Sequence, residues 1–500
     1  MLAPFLAGLE DDLRAFLAHG LIVDPWLAGL DKEFIDFNSQ DQLAQEAAQL
    51  AVDHWREPLR TQTLDAFPVP IRMGRTAAHE ILISAAAAVA HERLGRIRVT
   101  PDIAAEAIAR VRRFVAAHNF GALVRIYGAV TYAENHSAVR HYGAIAEEDF
   151  TRGKFHRPWV GYSLDDELLA GIASGLLALE VRDGRRVVVQ TAAGEEHFRA
   201  VRQVLEASGY LERRLHLIYL SQFNLFEGWD RQVAQMAPGA LALRQAFTDF
   251  AGLSRGMRLL EAGCGMATQT FEGGLWETVG LEGAIVGIDP AAGMLERAKA
   301  KAKQRRAKNV RFICTPAEQL PMFRAGEFDA AVGASFLHLT DTPVVLAELR
   351  RVTRPGGIVA IEAPCRLPLN QPWLRDWFGP LFDLAKQRGD EETAMLLPGH
   401  LPAAGELGDA FLAAGFHNVT TQSHPVEWVF LEPEVSVAFV IQGISFFQRE
   451  LELLPWQARL DMIDDVKRRG ARVCSETTPA ERTLYWPVEF IKGITPGTSR

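Results

Sequence analysis

Cysteine is scarce in this chain and widely spread. The four cysteines, at positions 264, 314, 365 and 474 of 500, form no C-x-x-C pair and no zinc-type spacing. That excludes a disulfide framework and a thiolate metal site, and it points to a reducing compartment. Long apolar runs are also missing: no stretch approaches the roughly 20 uninterrupted apolar residues that a membrane span needs. The amino terminus does not suit a signal peptide, because the apolar Met1–Leu9 runs into Glu10-Asp-Asp-Leu-Arg rather than a small-residue cleavage site. A cytoplasmic address is therefore expected. There is no excess of positive charge either. The net charge of −9 disfavours bulk affinity for nucleic acid, which depends on neutralising phosphates. No internal repeat or low-complexity tract is found.

The 48% hydrophobic and 23% charged composition is that of a globular protein. Five hundred residues exceed one ordinary domain by roughly two- to threefold, so two or three cores are expected.

The most informative stretch is 257–290. An apolar strand, Met257–Leu260, runs into Glu261. Gly263 and Gly265 then supply a tight turn whose missing side chains let a ligand lie against main chain. A second strand, Ala284–Ile288, closes on Asp289, about where a carboxylate can accept hydrogen bonds from both hydroxyls of a ribose. A dinucleotide site would read G-x-G-x-x-G, but Thr268 stands where the third glycine belongs, and the turn reads E-A-G-C-G-M-A.

This turn resembles motif I of the class I S-adenosylmethionine-dependent methyltransferases, with Ala267 in place of that family's usual third glycine. Three later stretches resemble the same family in order. Asp289-Pro-Ala-Ala-Gly-Met294-Leu-Glu-Arg-Ala298 is similar to the second acidic strand end and its following helix. Phe328-Asp-Ala-Ala-Val332 with Ser335-Phe-Leu-His338-Leu-Thr-Asp341 is similar to the fourth strand and loop. Glu348–Gly357 is similar to the turn into a fifth strand, Ile358–Ala363. The resemblance covers about residues 250–365 and lies nearest the quinone- and sterol-type small-molecule enzymes.

It implies an α/β fold with a doubly wound, seven-stranded Rossmann-like sheet, and S-adenosylmethionine as cofactor. It further implies that the main chain at Gly263, Cys264 and Gly265 cradles the methionine moiety and that Glu261 orients its ammonium. Asp289, followed by Pro290, is expected to hold the ribose. Met294 or Met266 would cover the adenine unless they only pack their helices. Ala317, Glu318 and Ser335 complete the expected contacts. The resemblance fails at Pro316, which stands where relatives carry an aspartate for the adenine amino group. Either Glu318 or a backbone carbonyl substitutes, or apolar contact and main chain hold the adenine alone.

Around this core the sequence predicts three parts. Residues 1–155 read as helical, with Ala-rich segments at Thr76–Arg93 and Pro101–Ala117, and with Thr100 positioned to cap the latter. From Phe67 onward the text is similar to a small helical domain of light-independent protochlorophyllide reductase subunits, the alternative being an ordinary bundle. Residues 156–235 resemble a winged helix: a helix from Ser163, a strand Ala178–Arg182, an Asp183-Gly184 turn, a strand Arg186–Thr191 and a helix from Gly194. The first of these helices carries Asp165, Asp166 and Glu167 and no lysine or arginine. That favours a lid or homodimer-forming role over DNA reading, although Arg182, Arg185 and Arg186 on the wing keep the latter open. Residues 236–500 hold the catalytic fold, entered by a helix Leu241–Phe250. It resumes after the fifth strand with Leu401–Ala414 and Gly415-Phe416, a sixth strand His417–Val429 and a seventh, antiparallel strand Leu484–Ile491, with a helical insertion over 432–481.

Methyl transfer from a sulfonium needs alignment and exclusion of water more than catalytic side chains. If the nucleophile is a hydroxyl, a base must take its proton. His338, after the fourth strand, is the candidate, ahead of His400 and His424. His136, His141 and His156, with Glu134, Glu147 and Glu148, are spaced too irregularly for a metal and read as solvated surface. The leading expectation is an enzyme acting on a small, apolar or aromatic acceptor. The alternative is a winged-helix regulator that uses a degenerate methyltransferase domain as an S-adenosylmethionine sensor.

Overall fold

In the computed structural model, residues 6, 8–24, 37–55, 71–94, 98–155, 163–225, 229–366, 371–386, 401–443, 451 and 454–497 are described. The chain forms two compact units, one of residues 1–221 with 451–461 and the other of residues 222–450 with 462–500.

The first unit is led by helices α1 (Leu9–Ala18), α2 (Phe37–Trp55), α3 (Ile71–Leu94), α4 (Pro101–His118) and α5 (Phe120–Tyr142). Helix α3 packs against α2, α4 and α5. Its alanines make this possible: Ala77, Ala78 and Ala85 to Ala88 are all buried, and such short side chains let several helices approach one axis. Phe67–Pro70 lies outside the described residues. Thr100 does not make the cap expected of it. Its hydroxyl donates to the Asp102 carboxylate, and α4 starts without a side-chain cap, on Pro101. Asn119 does cap α5, with Oδ1 accepting from the Ala122 amide at 3.0 Å.

A short strand β1 (Ile145–Ala146) and helix α6 (Glu147–Thr151) lead to α7 (Asp165–Ala173), β2 (Leu177–Arg182), β3 (Arg185–Gln190), α8 (Ala192–Ala207) and α9 (Tyr210–Leu225). The three strands pair in the order β1-β3-β2. The hairpin closes through Asp183 at φ +50° and Gly184 at φ +75°, the two consecutive left-handed residues that a two-residue turn of matching twist demands. Thr191 caps α8 through a hydrogen bond from the Gly194 amide. His136 lies against Tyr132, with ring centres 3.6 Å apart, and beside Gln190. His156 falls outside the described residues.

The second unit begins with α10 (Trp229–Met236) and α11 (Ala240–Ala251). Its first half continues with β4 (Arg258–Ala262), α12 (Thr268–Phe271), α13 (Leu275–Val279), β5 (Ala284–Asp289), α14 (Ala292–Arg305), β6 (Val310–Cys314) and β7 (Phe328–Ala334). The second half contains α15 (Thr342–Val352), β8 (Thr353–Pro364), α16 (Pro372–Lys386), α17 (Glu406–Ala413), β9 (His417–Val429), α18 (Pro433–Gly443), α19 (Trp456–Glu476) and β10 (Thr483–Ile494). Seven strands form one sheet, in the order β6-β5-β4-β7-β8-β10-β9. All neighbours are parallel except β10, which runs antiparallel to both β8 and β9. This is the doubly wound arrangement expected above.

Runs such as Leu259-Leu260, Ile285-Val286 and Val359-Ala360-Ile361 are fully buried, as strands covered on both faces must be. One face packs on α11, where Phe247 and Phe250 lie 5.3 and 5.7 Å from the Phe490 ring. Within Leu401–Ala414, helix α17 starts at Glu406, after Gly405 at φ +87°. In the insertion, Phe439 stacks on Trp428 at 4.6 Å; Phe446 and Phe447 lie outside the described residues. Strand β4 has β5 on one side and β7 on the other, so the winding reverses there. A crevice opens at that point beyond the carboxyl ends of the strands.

Candidate functional site

The turn after β4 is built as its glycines suggest. Gly263 has φ +63°, and a β-carbon on it would lie 2.3 Å from Cβ of Phe336. Gly265 has φ +50° and faces open space, with nothing within 4 Å of where its β-carbon would be. Ala267 sits at φ +61°, so the backbone makes the demand of the family's third glycine and an alanine meets it at a cost of about 1–2 kcal/mol. The Cys264 amide donates to the Ile288 carbonyl at 3.0 Å, and the Ala267 amide to the Cys264 carbonyl at 2.8 Å. The Cys264 side chain is buried, and its sulfur lies 2.9 Å from where a Gly287 β-carbon would stand. Cys264 therefore offers a ligand main chain only.

Asp289 closes the turn from the neighbouring strand. Its Oδ2 accepts from the Gly265 amide at 2.9 Å and its Oδ1 from the Ala291 amide at 2.8 Å. Each oxygen keeps a second lone pair for a ribose hydroxyl. Burial pushes its pKa up to about 6, against the pull of the two amides. Glu261 is fully buried at the end of β4 and accepts from the Thr270 hydroxyl. Desolvation raises its pKa to about 7, while Thr270 and the Arg244 guanidinium pull the other way.

The remaining expected residues divide. Pro290 is exposed, and its carbonyl receives the Cys314 thiol at 3.5 Å. Met294 is buried, with Arg297 3.8 Å from its sulfur, while Met266 keeps some exposure. Ala317 lies in the core with Leu320, Phe323 and Phe336. Glu318 accepts from the Asp341 amide at 3.3 Å, and Pro316 is exposed. Ser335, exposed at the end of β7, stands at φ +54°. His338 sits in a short 3-10 turn, Leu337–Leu339. Its Nδ1 is buried without a hydrogen-bond partner among the described residues, and desolvation lowers its pKa to about 4. His400 lies outside the described residues. His424 packs on Phe490 at 4.1 Å.

Two residues escaped the sequence reading. Glu362 is buried near the end of β8 and accepts the Ser335 hydroxyl at 2.8 Å, and its carbonyl accepts the Ser335 amide at 2.9 Å. Burial raises its pKa, with Ser335 and then Arg244 opposing. Arg244, on α11, thus acts on both Glu261 and Glu362. The available signal was the lone acid inside Ile358-Val-Ala-Ile-Glu-Ala-Pro364, the same anomaly that marks Glu261 in β4. Three desolvated carboxylates around an open glycine turn suit a ligand that brings positive charge together with ribose hydroxyls. The sulfonium and ammonium of S-adenosylmethionine meet that description, with Gly263–Gly265 to hold its methionine end and Asp289 its sugar.

Comparison with known proteins adds to this geometry. A family profile described as a methyltransferase domain matches residues 253–393. The demethylmenaquinone methyltransferase of Lactococcus lactis is 34% identical over 179 residues, spanning 34% of this chain and 69% of that protein. The enzyme of the same name from Geobacillus stearothermophilus is 33% identical over 188 residues, 34% of this chain and 76% of that one. An aklanonic acid methyltransferase from a Streptomyces strain is 34% identical over 131 residues, 26% of this chain and 58% of that protein. Among solved structures, the YcgJ protein of Bacillus subtilis superposes with a TM-score of 0.33 and 18% identity, covering 51% of this chain and 98% of its own.

Proposed function

The chain belongs to the class I S-adenosylmethionine-dependent methyltransferases, and on that premise we propose that it methylates a small aromatic acceptor of quinone or polyketide type. The observation that carries the reading is the hydrogen bond from the Gly265 amide to Asp289, which fixes a bare turn and a sugar-binding carboxylate to each other. By their names, the relatives act on demethylmenaquinone and aklanonic acid, which supports a ring-bearing acceptor. The cofactor supplies an activated methyl group. The residues of this chain orient it, shed water from it and offset its positive charge, which together supply most of the rate.

The wing reading is consistent with this. Arg182 pairs with Glu180 at 2.8 Å and Arg186 with Glu147 at 2.9 Å, and α7 opens on Asp165, Asp166 and Glu167. These features favour a lid or homodimer-forming role for residues 156–235 over reading DNA. Among the described residues, no helix is long and apolar enough to cross a membrane.

Calorimetry with S-adenosylmethionine and S-adenosylhomocysteine, turnover on a panel of hydroquinones and hydroxylated polyketides, and a DNA shift assay test the proposal together. Saturable cofactor binding with transfer to one such acceptor is expected. Tight DNA binding without transfer to any of them would favour the sensor.

The carboxylates also predict a pH dependence. In the free protein Asp289 and Glu261 titrate near about 6 and about 7. A cationic ligand favours their ionised forms and lowers both values in the complex, so binding releases protons in that range. Affinity for S-adenosylmethionine should climb between about pH 5 and pH 7.5 and then level off. At about pH 6.5, the apparent binding enthalpy should vary with the ionisation enthalpy of the buffer. A flat affinity with no buffer effect would remove both acids from contact with the ligand's charge.

A further inference from the structure

We propose that Ser335 and Glu362 form a proton relay that serves an acceptor bearing a phenolic or enolic hydroxyl, so that the methyl group ends on oxygen. The inference rests on the methyl-transfer reading above and names the atom that reading leaves open. Strand register places the pair. Ala262 at the end of β4 lies beside Gly333 of β7, and Ala334 lies beside Glu362 of β8, so Ser335 emerges one strand away from the glycine turn. The next residue, Phe336, packs its side chain against Gly263. Ser335 is thereby held at the edge of the crevice, with its hydroxyl exposed and a buried carboxylate 2.8 Å behind it.

The backbone gives a second, independent sign. Serine at φ +54° occupies a region that glycine enters freely, at a cost of order 1 kcal/mol or more. Glycine would relieve the strain and lose the hydroxyl. The residue is pinned twice to Glu362, through its amide at 2.9 Å and its hydroxyl at 2.8 Å, so the hydroxyl is held in one orientation.

The ionisable groups around the carboxylate suit the task. Arg244 of α11 favours its charged form and Glu261 of β4 shares that same arginine, while Cys365 lies just past the end of β8. Desolvation makes Glu362 a stronger base than an ordinary carboxylate, with the Ser335 hydrogen bond and then Arg244 opposing the rise. His338, with its pKa lowered to about 4 and an unpartnered Nδ1 among the described residues, is the weaker proton acceptor.

In the step itself, a lone pair on the acceptor oxygen forms the new bond to the methyl carbon as the carbon–sulfur bond breaks and leaves its pair on sulfur. The acceptor's proton passes to Ser335 Oγ while the serine's own proton passes to Glu362 Oε2. The carboxyl later returns the proton to solvent.

The test uses the full chain loaded with S-adenosylhomocysteine and 4-nitrophenol, whose anion is yellow and whose neutral form is nearly colourless. It is run about one unit below the phenol's own pKa. The wild-type complex should turn the bound phenol yellow. Glu362→Gln should bind it with at least about tenfold less yellow anion, since the proton acceptor behind the serine has been removed. Ser335→Gly should show the same loss while staying folded, because the strain it relieves offsets the hydrogen bond that Glu362 loses, and a thermal melt beside the colour assay shows that misfolding does not account for the result. Affinity for S-adenosylhomocysteine is measured for each variant, and colour is compared with both ligands saturating, so that a change in cofactor affinity does not enter the readout. A colourless wild-type complex, variants that keep the colour, or failure of the phenol to bind would each overturn the relay. Failure of the wild type to bind S-adenosylhomocysteine would instead strike the cofactor reading, and the relay would fall with it.

Discussion

Gly263→Ala should melt well below the wild type and lose cofactor binding, whereas Gly265→Ala, two residues on, should lose binding with a clearly smaller fall in melting temperature. The first substitution forces an L-residue to φ +63° and sets its β-carbon 2.3 Å from Phe336 Cβ and 2.5 Å from Cγ. The ring cannot step aside, because Gly333 on the adjacent strand grips its other edge: a β-carbon there would lie 2.2 Å from Cε1. Left-handed strain of about 1–2 kcal/mol and overpacking of about 1–3 kcal/mol add to roughly 2–5 kcal/mol. In a unit of this size, each kcal/mol shifts the melting point by about 2–4 °C.

Gly265 has φ +50° but nothing within 4 Å of the added carbon, so only the strain remains and the methyl group points into the crevice. Thermal melts beside calorimetry with S-adenosylhomocysteine separate the two effects. Equal melting temperatures for the two variants would mean that Phe336 does not pack as described.

Asp289→Ala should weaken cofactor binding by about 2–6 kcal/mol, roughly thirtyfold to about 25,000-fold, from the loss of charge-assisted hydrogen bonds of about 1–3 kcal/mol to each of two ribose hydroxyls. The same change also frees the Gly265 and Ala291 amides, so Asp289→Asn is the cleaner partner. It keeps an acceptor oxygen but removes a carboxylate whose burial raises its pKa to about 6. Ionising such a group costs folding free energy as pH rises from its unfolded value towards about 6. Above that range the Asn variant escapes this ionisation cost but turns its NH2 towards one of the two amides, so the two effects oppose each other in stability while the cofactor binds more weakly. Loss of stability at neutral pH with undiminished affinity would make Asp289 a purely structural residue that only holds the turn.

Sequence alone carried the catalytic fold a long way. Two apolar strands that close on acids, with glycines between them, fixed β4, the turn and β5 to within a residue or two. The seventh strand was legible from alternating aromatic and aliphatic residues near Leu484–Ile491, although its true span is Thr483–Ile494. The helices were legible because apolar spacing and proline or glycine punctuation are local signals. Where a local signal was followed too far, tertiary detail prevailed. Thr100 turned its hydroxyl to Asp102 instead of capping α4.

The site shows the same division more sharply. Glu261, Gly263, Gly265 and Asp289 lie within one strand–turn–strand stretch, so their identities and spacing already specified a turn facing a carboxylate. What no local pattern contains is the pairing of Gly265 with Asp289, of Ser335 with Glu362, or the reach of Arg244 to two acids. These depend on sheet register, which brings residues 24, 27 and more than 100 positions apart to a common edge. Burial, too, is a property of the packed sheet. It turns Glu261 and Asp289 from ordinary carboxylates into groups that titrate near neutrality, and it leaves His338 a poor base. The sequence thus determined which chemical groups the turn would offer. The tertiary structure decided which of them stand together and how strongly each holds its proton, because desolvation and cross-strand contact do not exist until the chain has folded.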